Sequence, residues 1–390
     1  MRKPWLQFCL REWKRLLGDY RIVMILLGGP FFYALIFGGV YWQGRAKHVP
    51  IVIVDQDHSH LSREITTALD ASENLQVAGW INSTDEFLPL VRREDAYACV
   101  VFPPRFESDV LAGKKPRVGV VFDASNILVN GSTLIAIRAV VTTYQVGLSR
   151  ERLEAVGMSP SAARVAAMPI EAATRQLFNP TSNYGYYILM GLVCIALQSV
   201  TRIGCGIAIT KDSVVQWSRS FPGRRIDYVE ILVSKVLATA LLVLPIAVVA
   251  LALPFVLFGA PFRGSVLVLL VALPLFVLIQ IGFGYGYAAL CRSPVISTQL
   301  HLFMSVVLFT LSGFTWPYYA MPPWLRAIAR LTPLFHMNCL VRKLAIVGAP
   351  SYALFPHLLS LVALSAAGVS WGFWAVHKLM NENPAAGILE

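Results

Sequence analysis

Charged side chains are scarce in this 390-residue sequence. Asp, Glu, Lys and Arg make up 14% of it, whereas a typical soluble domain has about 25%, and this argues against an ordinary soluble enzyme. Acids are scarcer than bases, 22 against 33, which leaves a formal net charge of +11. A nucleic-acid-binding protein clusters its cations on an otherwise polar domain, but 56% of these residues are hydrophobic. The composition indicates a protein of the lipid bilayer and no nucleic-acid partner.

Motifs for catalysis and nucleotide binding are also missing. The sequence has no Gly-rich phosphate loop ending in Lys-Ser/Thr, no Gly-x-Ser-x-Gly turn and no His-Glu-x-x-His pair. We therefore expect no catalytic residues, no bound cofactor and no metal, and any ATP that drives the protein must be hydrolysed by another chain. The six cysteines have no paired spacing, which disfavours a disulfide framework or a zinc site.

Six long apolar segments are present instead, each close to the length that crosses a bilayer. They cover about residues 22–42, 184–207, 231–258, 265–290, 295–315 and 353–376. The first is longer than the apolar core of a signal peptide, so we expect a retained span. Arg202 and Lys235 lie near segment ends, where long side chains reach the membrane surface.

Residues 1–21 are predicted to form a cytoplasmic amphipathic helix at the membrane interface. Apolar side chains, including Phe8, Trp13 and Leu16, recur at helical spacing, opposite Glu12 and three basic residues. Trp13 is a candidate contact for a partner protein.

Residues 43–183 have the composition of a soluble domain, with 14 Lys and Arg and 15 Asp and Glu between Arg45 and Pro180. Strand-like runs at 51–54, 97–102 and 118–122 alternate with helical patterns at 61–69, 84–91, 106–112 and 132–156. We therefore predict an α-helical membrane protein with six transmembrane helices and an inserted extracytoplasmic α/β domain. Residues 184–390 form the rest of its membrane domain.

The distribution of Lys and Arg in short loops predicts the orientation. The side that holds both termini carries 14 of them and the opposite side 5, and cytoplasmic loops are the ones enriched in positive charge. The termini are therefore expected in the cytoplasm. Four of the five outer cations lie in residues 316–352. The enrichment of positive charge on the cytoplasmic side does not explain these four.

Residues 316–348 follow the fifth span and contain two proline breaks. Short amphipathic pieces with several Trp and Tyr residues indicate a re-entrant segment, although a loop anchored in lipid headgroups would have the same composition. The residues that would bend or gate this segment are Ser312, Gly313, Trp316, Pro317 and Pro322.

Three further patterns have alternative interpretations. Residues 55–60 (DQDHSH) follow an apolar strand and precede a helical pattern, which favours a turn and helix cap over a metal site. Gly282, Gly284 and Gly286 lie in the fourth span and favour close helix packing over a hinge. The basic loop 210–230 is either a partner-binding element or an ordinary cytoplasmic loop. If it binds a partner that drives transport, the residues expected to make the contact, the coupling candidates, are Trp217, Arg219, Phe221 and Pro222.

Together, three stretches resemble the ABC-2 type exporter permeases that have a large extracytoplasmic domain after the first span. They are residues 52–57 (VIVDQD) with 61–63, residues 101–106 (VFPPRF) with 109–113 and 122–126, and residues 311–314 (LSGF) with Pro317, Met321, Pro322, Trp324 and Pro333. With the six-span layout, the resemblance covers nearly the whole chain.

The resemblance implies a subunit of the bacterial inner membrane that exports a hydrophobic or amphipathic substrate such as a drug, lipid or peptide. It also implies a partner ABC-type ATPase subunit that binds the ATP, and a dimer with a second copy or a paralogous permease. The outer domain is expected to dock either the cargo or a periplasmic membrane-fusion adaptor. The loop that begins at Thr210 lacks the family's acidic and Gly-Thr parts. This departure leaves two alternatives open: the divergent half of a heterodimer, or a membrane-anchored extracytoplasmic sensor or scaffold without transport.

Overall fold

The computed structural model describes residues 4–125, 127–167, 177–210 and 228–382. The chain divides into two compact units. The first comprises Met1–Trp42 and Asn183–Glu390, and the second comprises Gln43–Ser182.

Six helices in the described part of the first unit are long and apolar enough to cross a membrane. We number them span 1 (Tyr20–Val40), span 2 (Tyr184–Thr210), span 3 (Tyr228–Val256), span 4 (Val266–Cys291), span 5 (Pro294–Leu311) and span 6 (Ser351–Glu382). The amphipathic helix Pro4–Gly18 precedes span 1. Two short helices, Pro323–Arg330 and Pro333–Arg342, lie between spans 5 and 6.

The second unit contains a four-stranded mixed sheet within its described residues. Its strands are β1 (Val49–Asp55), β2 (Leu75–Trp80), β3 (Ala98–Phe102) and β4 (Gly119–Phe122), in the order β2-β1-β3-β4. β1 is parallel to β2 and β3, and β4 is antiparallel to β3. The accompanying helices are His60–Asp70, Phe87–Arg92, Phe106–Leu111, Ile127–Ala155 and Pro160–Ala167.

Apolar packing on both faces explains why β1 is a continuous apolar run. Successive side chains of a strand point to opposite faces. Ile51 and Ile53 accordingly join one buried cluster, whereas Val52 and Val54 join another on the other face.

The predicted fold class, six transmembrane helices with an inserted α/β domain, is confirmed.

The turn interpretation of residues 55–60 is also confirmed. The Asp55 carboxylate accepts hydrogen bonds from the backbone N–H groups of Asp57 and His58 at 3.1 and 3.0 Å. Ser59 is the N-cap of the following helix, because its hydroxyl oxygen accepts from the backbone N–H of Ser62. These residues end a strand and start a helix.

Spans 4 and 6 cross closely at glycine, as the sequence predicts. A Cβ atom added to Gly282 would lie 2.5 Å from the carbonyl of Gly368, and one added to Gly372 would lie 2.5 Å from the carbonyl oxygen of Gly282. Neither position has room for a side chain, so the backbones themselves form the contact.

Three predictions about charged residues are wrong. Arg202 and Lys235 do not reach the membrane surface: they are 3% and 2% exposed, inside the unit. Glu12 does not lie on an exposed polar side of the amphipathic helix, because it is fully buried with Phe8 and Leu16 one turn away on each side. The physical reason is pairing, since each of these polar groups finds a partner from a distant helix.

Candidate functional site

A buried ion-pair cluster attaches the amphipathic helix to span 3. The Glu12 Oε1 atom accepts from Lys235 Nζ at 3.0 Å and from Arg15 Nη2 at 2.9 Å. Glu12 and Lys235 come from positions 223 residues apart. A carboxylate and an ammonium are tolerated in an apolar interior only when they are paired, so each depends on the other.

The same cluster reaches span 2. Arg15 Nη2 also donates to the backbone carbonyl of Ala208 at 2.6 Å, near the end of span 2. On the neighbouring turn, the Cys9 thiol donates to the Ser234 carbonyl at 3.7 Å. The amphipathic helix is thus bonded to the end of span 2 and to the beginning of span 3, the two helix ends that flank residues 211–227. We call this set of contacts the cytoplasmic junction.

Of the five residues predicted to contact a partner protein, the structure describes only Trp13. Trp217, Arg219, Phe221 and Pro222 lie outside the described residues, so their role stays a prediction. Trp13 is 40% exposed and directly follows the buried Glu12. Its indole is therefore available to another protein or to lipid, while its helix is held from the other side.

The segment after span 5 begins with a sharp change of direction. Ser312 is buried, and its hydroxyl donates to the Phe309 carbonyl at 2.6 Å, which ends the helix. Gly313 follows with φ of +81°, a conformation that residues with a Cβ rarely adopt. We call residues 312–350 the broken-helix segment.

Span 2 binds the beginning of the broken-helix segment. The Tyr187 hydroxyl donates to the Phe314 carbonyl at 2.8 Å, and the two rings stack with their centroids 5.1 Å apart. Gly191, one turn further along span 2, leaves room for the Phe314 ring, because a Cβ there would lie 2.7 Å from it. The contact therefore depends on both a hydrogen bond and a missing side chain.

A cavity of about 230 Å³ lies within the broken-helix segment. It is lined by Ser312, Gly313, Phe314, Pro317, Tyr318, Tyr319, Cys339 and Arg342. The structure thus brings together Ser312, Gly313 and Pro317 of the predicted gate residues. Trp316 is exposed, and Pro322 precedes the helix Pro323–Arg330; neither lines the cavity.

A chain of hydrogen bonds attaches the second short helix to span 6. Lys343 Nζ lies 3.1 Å from His357 Nε2, His357 Nδ1 lies 3.3 Å from His336 Nδ1, and His336 Nε2 lies 2.7 Å from the Arg330 carbonyl oxygen. Because an ammonium only donates, His357 accepts at Nε2 and donates from Nδ1. His336 then accepts at Nδ1 and donates to the carbonyl. All bonds are satisfied when both histidines are neutral.

Sequence reasoning missed the central members of these sites. No local sequence motif identifies these members, because their partners come from other helices. They are Glu12, Lys235, Tyr187, His336 and His357. The available signal was chemical: a carboxylate or lysine in an apolar segment needs a partner of opposite charge.

Comparisons with known proteins give one consistent answer. The model of the family described as ABC-2 family transporter protein matches residues 20–374. The chain is 26% identical over 371 residues to the inner membrane transport permease YhhJ of Escherichia coli K12, covering 92% of each chain.

Two further relatives are the probable multidrug ABC transporter permeases YbhR and YbhS of Escherichia coli K12. Identity to YbhR is 21% over 329 residues, covering 83% of this chain and 84% of the relative. Identity to YbhS is 21% over 375 residues, covering 93% and 94%.

Proposed function

The chain belongs to the ABC-2 transporter family, and we propose that it is the permease subunit of an ATP-binding-cassette exporter. In this proposal it moves a hydrophobic or amphipathic substrate, such as a drug, lipid or peptide, out of the cytoplasm. A separate subunit binds and hydrolyses the ATP. The match of the family model to residues 20–374 carries the proposal, because it spans both units of the chain.

The cytoplasmic junction supports coupling to an ATPase. Its bonds attach one amphipathic helix to the ends of spans 2 and 3, on either side of residues 211–227. A force applied to that loop or to Trp13 therefore acts on both spans through the same buried carboxylate. We propose that Trp13, Trp217, Arg219, Phe221 and Pro222 contact the ATPase subunit.

At the opposite end of span 2, we propose that residues 316–348 of the broken-helix segment are re-entrant and that this segment gates the exit. The helix Pro333–Arg342 supports this path, because Leu334, Met337 and Leu340 are buried in the same apolar core as the spans. The proposed topology places both termini in the cytoplasm and the α/β unit on the outer side of the bacterial inner membrane. There the unit is positioned to bind a periplasmic membrane-fusion adaptor.

Family membership favours transport over the scaffold alternative, and we propose that the working unit is a dimer with a second copy or a paralogous permease. The test is substrate-stimulated ATP hydrolysis by the complex of this permease with its ATPase. Trp217→Ala with Phe221→Ala is expected to abolish the stimulation, whereas Trp80→Ala, an exposed tryptophan of the α/β unit, is the matched control. Unchanged stimulation in the double variant would contradict the coupling assignment.

A further inference from the structure

Span 2 contains a buried arginine without a carboxylate partner. Arg202 is 3% exposed; its Nε donates to Gln280 Oε1 at 2.7 Å, and its Cζ lies 5.0 Å from the centre of the Phe283 ring. Within the part of the chain that the structure describes, no Asp or Glu oxygen lies within ion-pairing distance of the guanidinium. Lys235, by contrast, has Glu12. An unpaired charge at membrane depth is strongly unfavourable and is expected to serve a function.

Arg202 lies in the interface between spans 2 and 5, which we call the seam, and polar groups surround it there. The Ser199 and Ser305 hydroxyls lie 2.7 Å apart, and a Cβ on Gly206 would lie 3.3 Å from Ser297 Oγ. The residue numbers increase on one helix as they decrease on the other, so the helices are antiparallel. Arg202 and His301 each lie about one turn from both contacts, and they therefore face each other across the seam.

Several polar atoms beside the arginine have no hydrogen-bond partner in the described part of the chain. They are both ring nitrogens of His301, the Ser297 hydroxyl and the Gln280 Nε2. His301, Ser297 and Gln280 are each at most 1% exposed. A neutral histidine donates from one nitrogen, and the hydroxyl and the amide also donate. A cation with three unused donors around it is complementary to a group that has several acceptor oxygens and a negative charge.

Arg202, His301 and Gln280 lie at a similar level in the bundle, and Ser297 lies about one turn closer to the beginning of span 5. At 1.5 Å per residue, Arg202 is about 12 Å from the end of span 2 and His301 about 10 Å from the beginning of span 5, both at the proposed cytoplasmic end. Gln280 is about 16 Å from the end of span 4 by the same measure. In the proposed orientation, this level is just inside the inner leaflet, where an amphipathic molecule from the cytoplasmic side first meets the protein.

We propose that Arg202, Gln280, Ser297 and His301 form a binding site for the oxyanion group, a carboxylate, sulfonate or phosphate, of an amphipathic substrate. This rests on the proposed function and narrows its substrate class to amphipathic anions. The bound oxyanion neutralises Arg202 and accepts from the unused donors. Because the guanidinium is almost fully buried, the substrate enters when spans 2 and 5 separate.

Binding of a small aromatic anion tests the site directly. The full-length permease in phosphatidylcholine nanodiscs is dialysed to equilibrium against 2-naphthoate. 2-Naphthamide and 2-naphthylmethylammonium are the neutral and cationic probes of similar shape. Empty nanodiscs give the background binding. We expect the wild-type protein to bind the anion at least tenfold more tightly than the amide. Equal affinity for the three probes would overturn the proposal.

Substitutions assign the preference to the cluster. Arg202→Met is expected to remove the tenfold preference, and Arg202→Lys to retain part of it. Arg326→Gln, which removes a cation from the broken-helix segment, is the matched control and is expected to bind like the wild type. An unchanged preference in a folded Arg202→Met protein would overturn the proposal.

His301→Leu keeps the test decisive if Arg202→Met does not fold. Among the described residues the His301 ring has no hydrogen bond to lose, and burying its unsatisfied polar atoms costs free energy, so this variant is expected to melt at or above the wild-type temperature without ligand. It is also expected to bind 2-naphthoate at least threefold more weakly. A purely structural histidine would give the opposite pair of results, a lower melting temperature with unchanged binding, and would refute the assignment.

The binding assay requires no ATPase, so its outcome is separate from that of the proposed function. Anion-selective binding without substrate-stimulated ATP hydrolysis would leave the site standing and remove the exporter proposal. Stimulation by the cationic and neutral probes alone, without anion preference, would leave the exporter standing and remove the site.

Discussion

Removing the charge of Glu12 is expected to release the amphipathic helix from spans 2 and 3. In Glu12→Gln, the side chain keeps its shape, but Lys235, which is 2% exposed, loses its counter-charge. Breaking a buried ion pair by removing one partner costs about 3–5 kcal/mol. Arg15 adds less to this cost, because its Nη2 keeps the hydrogen bond to the Ala208 carbonyl.

The native thiol of Cys9 reports this release. It is 7% exposed and bonded to the Ser234 carbonyl, so it reacts with a maleimide only when the helix leaves its site. At about 1.4 kcal/mol per tenfold change, a loss of about 3–5 kcal/mol raises the population of the open form by two to three and a half powers of ten. The alkylation rate of a variant that retains Cys9 as its single cysteine should rise by the same factor.

Two controls separate loss of pairing from general damage. Lys14→Gln changes an exposed cation on the same helix and is expected to leave the rate within about twofold, as for surface charges. Glu12→Leu combined with Lys235→Met removes both charges and is expected to react more slowly than Glu12→Gln, because neither charge of the pair stays buried without the other. A Glu12→Gln rate equal to that of Lys14→Gln would refute the reasoning.

Two further predictions concern the remaining parts of the chain. Gly282→Ala places a methyl group 2.5 Å from the Gly368 carbonyl and is expected to lower the free energy of unfolding by about 1–3 kcal/mol. Thermal unfolding in detergent measures it, and Gly39→Ala, with open space around it, should have little effect. Burial raises the pKa of Cys99 in the α/β unit to about 11. Since the thiolate is the reactive form, a variant with Cys99 as its single cysteine should react with a maleimide at pH 8 about 100-fold more slowly than a free thiol, and faster as the pH rises toward that pKa. An ordinary rate at pH 8 would contradict the buried environment.

The fold class could be predicted because its signals are local. Apolar length marks the spans, and the change in charge density marks the inserted unit. β1 and β3 are buried on both faces, so they are continuous apolar runs that stand out in the sequence. β2 (Leu75–Trp80) was missed: it contains a glycine, lies at the edge of the sheet and buries one residue fully, so neither apolar content nor strand propensity identifies it.

The candidate sites were less predictable because their contacts are between helices. Helical spacing placed Glu12 among basic residues on one side, and a charged residue is expected on the exposed face. Its burial follows from a lysine 223 positions away, which no local pattern contains. Arg202 was assigned to the membrane surface for a different reason, because it lies near the end of an apolar segment. For both residues, local position in the sequence predicted exposure, and contacts with other helices bury them.

Span 2 connects the two candidate sites mechanically. Ala208 accepts the Arg15 bond of the cytoplasmic junction, and Tyr187 holds Phe314 at the start of the broken-helix segment. These residues are 21 positions apart, about 31 Å along one continuous helix. A helix bonded at both ends transmits a displacement with little change in length, so a shift of the junction must move Tyr187 or break its bond to Phe314. Arg202 lies between the two ends and faces span 5. The same displacement would therefore alter the seam that covers the proposed anion site, which links ATPase contact, substrate binding and exit to the position of a single helix.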